Sequence, residues 1–472
     1  MTDSWQLRIA ASDFEELRRL VFEHQPEEAG AFALAGVSRH ATGSDIVVRR
    51  VIAVPPELVD FRHELRLEIS TCAVNGLAAL CEANGLGAVL CHSHPTETPY
   101  SPSDDHGERR VFEAIRAFMP SNAPTASLLF TPAGVSGRAW LRGADTAVPL
   151  TEITVVGRQL RRIPLLDAPG ALPYDVRVYD RQVRAFGKEG QSLIARAKVG
   201  IVGVGGTGSP TAEQLVRLGV RDLVLVDPDQ FEDSNLTRVY GTFSATQWTR
   251  LWRRAPKRKV DLVARHLRRI SPAVRIQALA QNVVLTEAAE RLRDRDVVFL
   301  CTDDHWGRSV VNQLAYQYLI PAVNVGVAIR AEQGRIAQAV GVIDVLRPDL
   351  PCLWCKQFLN SERIAAESMP RRDRKSRERE GYVQGIDTPT PAVISITTAL
   401  SGMAVSVFLQ LVTDFMGDAG EVSRLNYDVL QGTVSRGRTP AADRCVCRRA
   451  RGFGDLKPMQ TVADANVLRA LE

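Results

Sequence analysis

Two α/β domains are predicted for this chain: a mixed α/β domain of strands flanked by helices, then a doubly wound α/β domain. Three observations predict them. The 472 residues exceed what one compact core usually holds. Over the first ~150 residues, short amphipathic helices alternate with apolar strands. From Lys198 the order becomes buried strand, glycine turn, helix and buried strand, the βαβ unit of a parallel sheet. The expected division is residues 1–150, a linker over 151–178, and residues 179–472.

Composition excludes little. Hydrophobic content of 45% and charged content of 24% are ordinary for a globular chain. A net charge of +5 is small for this length and gives nucleic-acid binding no support. The first residues, "MTDSWQLRIAASDFEELRRL", hold no apolar run of signal-peptide type, so a cytoplasmic location is expected. From Thr388 to Thr413 no residue is charged, and the length would span a bilayer. Six serine, threonine and glutamine positions (Ser395 to Gln410), and the lack of basic or aromatic flanks, favour a buried helix with no membrane contact. With no export signal, the eight cysteines are expected reduced, and close pairs point to metal.

In the first domain, "ASDFEELRRLVFEH" has helical spacing of Phe14, Leu17, Leu20 and Val21. Strands are expected at Ala31–Leu34 and Ile46–Val54, and a helix from Thr71 stops near Gly85. The apolar strand "LGAVLCHSH" and a helix from Ser103 to about Met119 come next, then closing strands "TASLLFTP" and "GRAWLRG". "RIPLLDAPGALPYD" is rich in turn residues and reads as linker. In the second domain, "DVVFLCTDD" and "PAVNVGV" are further buried strands, and Met369–Gly381 reads as a solvated charged loop.

Chemistry concentrates in two places. On a strand, His92 and His94 point to one side, where two imidazoles can share Zn²⁺. "SPSD" then offers Ser101 as helix cap, Pro102 in the first turn and Asp104 at the third helical position. A capped helix explains SPSD without metal, but an aspartate in the first turn can also face the histidines. His106 reads as a helix-surface residue and Cys91 as a buried one.

His-x-His-Pro followed by Ser-x-x-Asp resembles the JAMM (JAB or MPN) metalloprotease family, which includes ubiquitin isopeptidases. The resemblance implies His92, His94 and Asp104 as ligands of a catalytic zinc. It implies an upstream glutamate as general base, matched in "PEEAGAFALAG" by Glu28, with Glu27 the alternative register. It also implies Ser101 as donor to the oxyanion.

The second place is Gly203-Val-Gly205-Gly206-Thr-Gly208, which fits GxGxxG between a strand and a helix, with Asp227 ending the next strand. Alone, that pattern is a dinucleotide fingerprint and makes an NAD- or FAD-dependent oxidoreductase the default. The residues C-terminal to it fit ATP better. Asp229, Asn235 and Arg238, then Lys259 at a helix start and Asp303 at a strand end, supply cations and a carboxylate for phosphates and Mg²⁺.

Together these residues resemble the ThiF/MoeB and ubiquitin-activating family over about residues 175–450, with a Rossmann-like fold. The resemblance implies that Asp227 holds the ribose and the Gly203–Gly208 loop approaches the phosphates. Asn235, Arg238 and Lys259 would contact them, and Asp303 would bind Mg²⁺. Arg181, in "DRQ", would be the arginine donated across a homodimer. Cys352, Cys355, Cys445 and Cys447 would hold a structural zinc, although the second pair is Cys-x-Cys where the family often has Cys-x-x-Cys. The other cysteines, Cys72, Cys81, Cys91 and Cys301, read as core.

Between Lys356 and Pro391, where a thioester-forming cysteine is expected, only Thr388 and Thr390 stand near "GIDTPTPAVIS". Either the adenylate passes directly to a partner's thiol, or one of the paired cysteines is the nucleophile and the four-cysteine site does not exist. The combined reading is a fusion that trims or removes a ubiquitin-like protein and adenylates its C-terminal glycine, as in bacterial ubiquitin-like operons, some tied to phage defence. A conjugating enzyme would then receive it. Activation of a sulfur carrier, with a sulfurtransferase as acceptor, is the alternative. An oxidoreductase and a non-catalytic scaffold for ubiquitin-like proteins are the remaining readings.

Overall fold

The computed structural model describes residues 4–165, 174–243, 258–369, 373 and 391–463. The chain forms two compact units. The first runs through the N-terminal strands and also takes in Gln317–Leu319 and Ala450–Pro458.

Its strands are β1 (Trp5–Ala10), β2 (Gly30–His40), β3 (Gly43–Ala53), β4 (Val59–His63), β5 (Arg66–Ile69), β6 (Gly87–Ser93), β7 (Thr125–Thr131), β8 (Gly134–Ala139), β9 (Val148–Val156) and β10 (Leu160–Pro164). Its helices are α1 (Ala11–Val21), α2 (Thr71–Asn84) and α3 (Pro102–Ile115). Eight strands form one sheet in the order β1-β3-β2-β6-β7-β8-β9-β10. Because β1 also pairs with β9, the sheet curls into a barrel-like form. Phe14, Leu17, Leu20 and Val21 of α1 are buried against one face of it. Leu77, Phe112 and Ile115 of α2 and α3 lie in a separate core cluster with Leu34 and Trp140.

Two expectations fail here. The stretch read as linker begins with strands, since β9 and β10 close the sheet and only residues 166–173 of it fall outside the described residues. Its prolines and turn residues masked the apolar alternation of Ile153 and Val155. A segment far along the chain also completes this unit: the Gly36 amide donates to the Gly452 carbonyl and the Asp455 amide to the Val37 carbonyl.

The second unit has strands β11 (Lys198–Val202), β12 (Asp222–Val226), β13 (Arg275–Leu279), β14 (Val297–Leu300), β15 (Ala322–Glu332), β16 (Arg335–Leu346), β17 (Arg424–Asp428) and β18 (Thr433–Gly437). Its helices are α4 (Val176–Arg196), α5 (Gly208–Leu218), α6 (Lys259–Ile270), α7 (Thr286–Glu290), α8 (His305–Gln317), α9 (Ser361–Glu367), α10 (Ile394–Thr413) and α11 (Val446–Arg449). The sheet order is β13-β12-β11-β14-β15-β16-β17-β18, parallel through β15 and antiparallel after it. The order reverses between β11 and β14, so the crevice beyond their carboxyl ends is where such sheets bind ligands.

Helix α10 is long and apolar enough to cross a membrane, but twelve of its 20 residues are buried within the unit. Phe408 meets Phe299 of β14 with ring centroids 6.1 Å apart. The Met369–Gly381 run and the Thr388/Thr390 positions lie, Asp373 and Met369 apart, outside the described residues.

One buried ion pair ties the first sheet together. Arg8 Nε on β1 donates to Asp45 Oδ2 on β3 at 2.7 Å, and His40 Nε2 lies 3.3 Å from Asp45 Oδ1. Burial pushes the Asp45 carboxyl up, but Arg8 and His40 outweigh it and hold the group at about 2. Because the folded value lies below the unfolded 3.8, this stabilisation is complete above 3.8 and disappears as pH falls toward about 2. Asp45→Asn should cost ~3–5 kcal/mol at neutral pH, because it removes the charge opposite a buried guanidinium. Urea unfolding across that acid range checks both: the gap between wild type and variant should narrow as pH falls.

Candidate functional sites

The first site assembles at the end of β6. His92 lies in the strand, and the His94 amide donates to the Phe130 carbonyl of β7, which continues the sheet pairing from His92 to His94. The two imidazoles therefore share a face, with ring centroids 5.1 Å apart. Helix α3 begins with a reciprocal cap: Ser101 accepts from the Asp104 amide, and Asp104 accepts from the Ser101 amide. That cap also turns the Asp104 carboxylate inward. Oδ1 lies 3.5 Å from His92 Nε2, and Oδ2 lies 3.6 Å from His94 Nε2.

The residues fit a metal. One ligand atom from each of His92, His94 and Asp104 lies within 4.8 Å of the others. Tetrahedral zinc with nitrogen and oxygen ligands at 2.0–2.1 Å needs separations of roughly 3.3 Å. Nδ1 of His94 faces the Thr98 carbonyl at 3.0 Å, so that nitrogen carries the proton and Nε2 keeps its lone pair for the site. Nε2 of His92 is buried without a hydrogen-bond partner. Burial lowers the His92 value to about 4, favouring the neutral, ligating form.

Glu28 is buried, with Oε1 3.7 Å from His94 Nε2, and Glu27 is exposed, so Glu28 is the glutamate that faces the histidines. Burial, assisted by the nearby Asp104 charge, raises the Glu28 carboxyl to about 7. The Ser101 hydroxyl, expected to face an oxyanion, donates instead to Asp104 Oδ2 at 2.7 Å. The cap claims its proton. His106 is exposed and Cys91 buried.

The second site lies where the parallel sheet reverses order. Gly203 adopts φ 86°, and a Cβ on Gly208 would stand 1.8 Å from the Gly203 carbonyl oxygen, so neither position takes a side chain. A Cβ on Gly205 would meet nothing within 4 Å, which leaves that backbone open for close approach by a ligand. Asp227, at the end of β12, accepts from the Val204 amide at 2.8 Å and the Asp229 amide at 2.9 Å.

Lys259 Nζ, at the start of α6, pairs with Asp229 at 2.7 Å, and its charge also acts on Asp227. Arg238 packs beside Gly206. Asn235 is buried, and its side-chain oxygen accepts from the Glu232 amide. Asp303 follows β14 and is exposed. Thus Gly203–Gly208, Asp227, Asp229, Arg238 and Lys259 gather at one crevice, with Asp303 at the neighbouring strand end. Arg181 does not join them within the chain. It is exposed on α4 and makes no ion pair among the described residues.

Cys352, Cys355, Cys445 and Cys447 converge, their sulfurs all within 4.8 Å of one another. Sγ separations of 3.8 Å (Cys352–Cys355), 3.3 Å (Cys352–Cys445) and 3.9 Å (Cys355–Cys447) bracket the ~3.7 Å edge of a tetrahedron with 2.3 Å zinc–sulfur bonds. The Cys-x-Cys spacing works because Cys445 precedes α11 and Cys447 lies inside it. Cys72, read as core, is exposed in the first turn of α2, while Cys81 and Cys91 are buried. Cys301 is half-buried, and its thiol is raised to about 12 by burial.

The family model described as the ThiF family matches residues 179–448. The chain belongs to the ThiF family. Among curated relatives, ubiquitin-like modifier-activating enzyme 5 of Drosophila ananassae is 28% identical over 68% of this chain and 78% of that protein. Adenylyltransferase and sulfurtransferase uba4 of Aspergillus niger is 34% identical over 37% of this chain and 34% of that protein. The ThiF chain therefore spans most of the first relative's length and about a third of the second's. Its overlay on the crystal structure of E. coli MccB with succinimide has a TM-score of 0.45 and 17% identity, covering 59% of this chain and 76% of that one.

Sequence reasoning missed a buried polar cluster behind the first site. Glu108 accepts from Ser127 and Trp140, and Arg138 pairs with it. A signal was present: Glu108 falls four residues after Asp104 on the helix stripe that continues to Phe112 and Ile115, an acid where an apolar residue belongs.

The two glycines should separate folding from binding. Gly208→Ala should lower Tm and abolish nucleotide binding, because the added methyl overlaps the Gly203 carbonyl. Gly205→Ala should keep Tm within a few degrees and still lose affinity at least 10-fold, because the methyl occupies the ligand's approach. Thermal melting and calorimetric ATP titration of both variants check this.

Proposed function

We propose that this ThiF-family chain uses ATP to adenylate the C-terminal glycine of a ubiquitin-like or sulfur-carrier protein. The observation that carries the reading is the convergence of Asp227, Arg238 and Lys259 on the open backbone of the glycine loop. The names of the two relatives, a modifier-activating enzyme and an adenylyltransferase, favour the same chemistry. Asp227 accepts hydrogen bonds from the ribose hydroxyls, and the Gly205 and Gly206 backbone lies along the phosphates. The glycine carboxylate is ionised at neutral pH and needs no base. Its oxygen forms a bond to the α-phosphorus as the bond to the bridging oxygen breaks and pyrophosphate leaves. Arg238 and Lys259 offset the charge that accumulates as the two anions meet. Asp303 is the carboxylate that would hold Mg²⁺, which adds charge neutralisation when bound. Arg181 completes the cation set if two chains pair.

The sulfur-carrier form of this reading is favoured by the cysteines. Four are drawn into one cluster, Cys81, Cys91 and Cys301 have their thiols raised by burial, and Cys72 lies on the first unit. The adenylate then passes to a thiol on a partner. With a ubiquitin-like or sulfur-carrier protein and Mg·ATP, mass spectrometry should find an AMP adduct on the carrier and no reductant-sensitive thioester on this chain. Lys259→Ala and Asp303→Ala should each reduce ATP–pyrophosphate exchange at least 100-fold. Adduct formation that survives both substitutions rejects this site.

A second activity is favoured by the first unit: zinc-dependent cleavage of a peptide or isopeptide bond after such a tail, as in JAMM enzymes. His92, His94 and Asp104 would hold the metal, which when bound lowers the pKa of a coordinated water. Glu28 Oε1 takes a proton from the nucleophile and returns it to the leaving amine, a role suited to a carboxyl held at about 7. On one chain, trimming would deliver exposed glycine tails at raised effective concentration to the adenylating unit. Offered a carrier with a C-terminal extension, the wild type should remove it. Glu28→Ala and His92→Ala should lose cleavage at least 100-fold while retaining adenylation of the already trimmed carrier.

A further inference from the structure

We infer that Glu108 is a positioning residue for the His92–His94–Asp104 metal site, a buried clamp that fixes where two of the three ligands stand. The inference rests on reading that cluster as a metal site.

Glu108 sits on α3 and is 6% exposed. Its Oε2 accepts from Ser127 Oγ of β7 at 2.7 Å, from Trp140 Nε1 at 2.7 Å and from Arg138 Nε of β8 at 3.0 Å. Arg138 Nη2 lies 3.0 Å from the same oxygen. One carboxylate oxygen thus joins α3 to two strands of the sheet.

Two lines run from this clamp to the ligands. The first is the helix itself. Asp104 and Glu108 are four residues apart, on one face, so anchoring Glu108 fixes the rotation of the first turn, which would otherwise fray. Asp104 is the ligand that most needs this, because its side chain is 18% exposed while that of His94 is 7% exposed. The second line passes through Arg138. Held by Glu108 and by Asp105, its guanidinium stacks 3.7 Å from the centre of the Tyr100 ring. Tyr100 in turn meets the His92 ring edge-on, with centroids 6.0 Å apart. His94 needs neither line, because the Thr98 carbonyl orients it.

Stability alone does not account for this arrangement. The stripe of α3 continues to Phe112 and Ile115, and an apolar residue at 108 would avoid desolvating a carboxylate and a guanidinium. Buried ion pairs replaced by apolar residues often leave stability unchanged or improved. What an apolar residue cannot supply is directional hydrogen bonding to two strands at once.

The test uses the full-length chain and reads the metal equivalent that His92→Ala removes, which distinguishes it from metal held by the four cysteines. Zinc affinity is measured by chelator competition, and ligand geometry by the visible spectrum of the Co²⁺ form. Glu108→Gln should weaken zinc binding at this site about 10–100-fold and alter the cobalt bands, while the cysteine-bound equivalent stays unchanged. Ser127→Ala and Trp140→Phe, each removing one donor, should weaken it by smaller factors and decide the matter if Glu108→Gln does not fold. A folded Glu108→Gln protein with wild-type zinc affinity and cobalt spectrum overturns the inference, even if its Tm is lower, because the role would then be structural only. A wild-type chain with no metal equivalent sensitive to His92→Ala overturns both the clamp and the metal site beneath it.

Discussion

The contact on which the nucleotide crevice depends is the approach of the Gly208 backbone to the Gly203 carbonyl, closer than any Cβ allows. It lets β11 turn directly into α5, bringing the helix N-terminus up to the end of the sheet. Several other parts of the crevice are fastened to that turn. Ser209 Oγ donates to the Gly205 carbonyl and accepts from the Tyr240 amide, which brings in the segment carrying Arg238. Ser401 of α10 donates to the Thr207 carbonyl, and Asp227 holds the Val204 amide. Polar side chains from separated segments thus close the loop's backbone groups, and the loop is set before any ligand arrives.

The other site is organised by a carboxylate with two duties. Asp104 completes the cap of α3 and faces both histidines. A carboxylate that only capped a helix would sit at the surface. Here the strand-end geometry of His92 and His94 and the burial of Glu28 surround it with groups that are awkward without a cation: an imidazole nitrogen lacking a partner and a carboxyl pushed up to about 7.

How much of this the sequence disclosed depends on the range of each interaction. The glycine loop, Asp227, the His-x-His strand end and the Ser101–Asp104 cap are local, so spacing alone located them. Lys259 was legible because it starts a helix, and Arg238 only as part of the stretch after Asp227 that resembles the ThiF family. The closure of β1 on β9, the entry of residues 450–458 into the first unit and the anchoring of Glu108 are pairings between distant segments. Local periodicity names none of those partners, although the helix stripe does mark Glu108 as out of place. The four-cysteine cluster lay between these cases. Its pairs were visible, but the tighter Cys-x-Cys bite became compatible with a tetrahedron only once a helix start was seen to separate Cys445 from Cys447. Ser101 suits two roles in the sequence, and in the structure its hydroxyl meets the nearer partner, Asp104.

Residues Gln317–Leu319 and Ala450–Pro458 belong to the first unit although about half of the second unit is encoded before the former and most of it before the latter. The Gln317 side-chain Nε2 donates to the Gly454 and Lys457 carbonyls, and the Tyr318 hydroxyl to Asp455. During synthesis, the N-terminal sheet therefore emerges long before the chain that finishes it. It waits, incompletely hydrogen-bonded along β2, until residues 450–458 have left the ribosome. The two units are one gene product in a stronger sense than tandem arrangement. No single cut in the chain yields both intact.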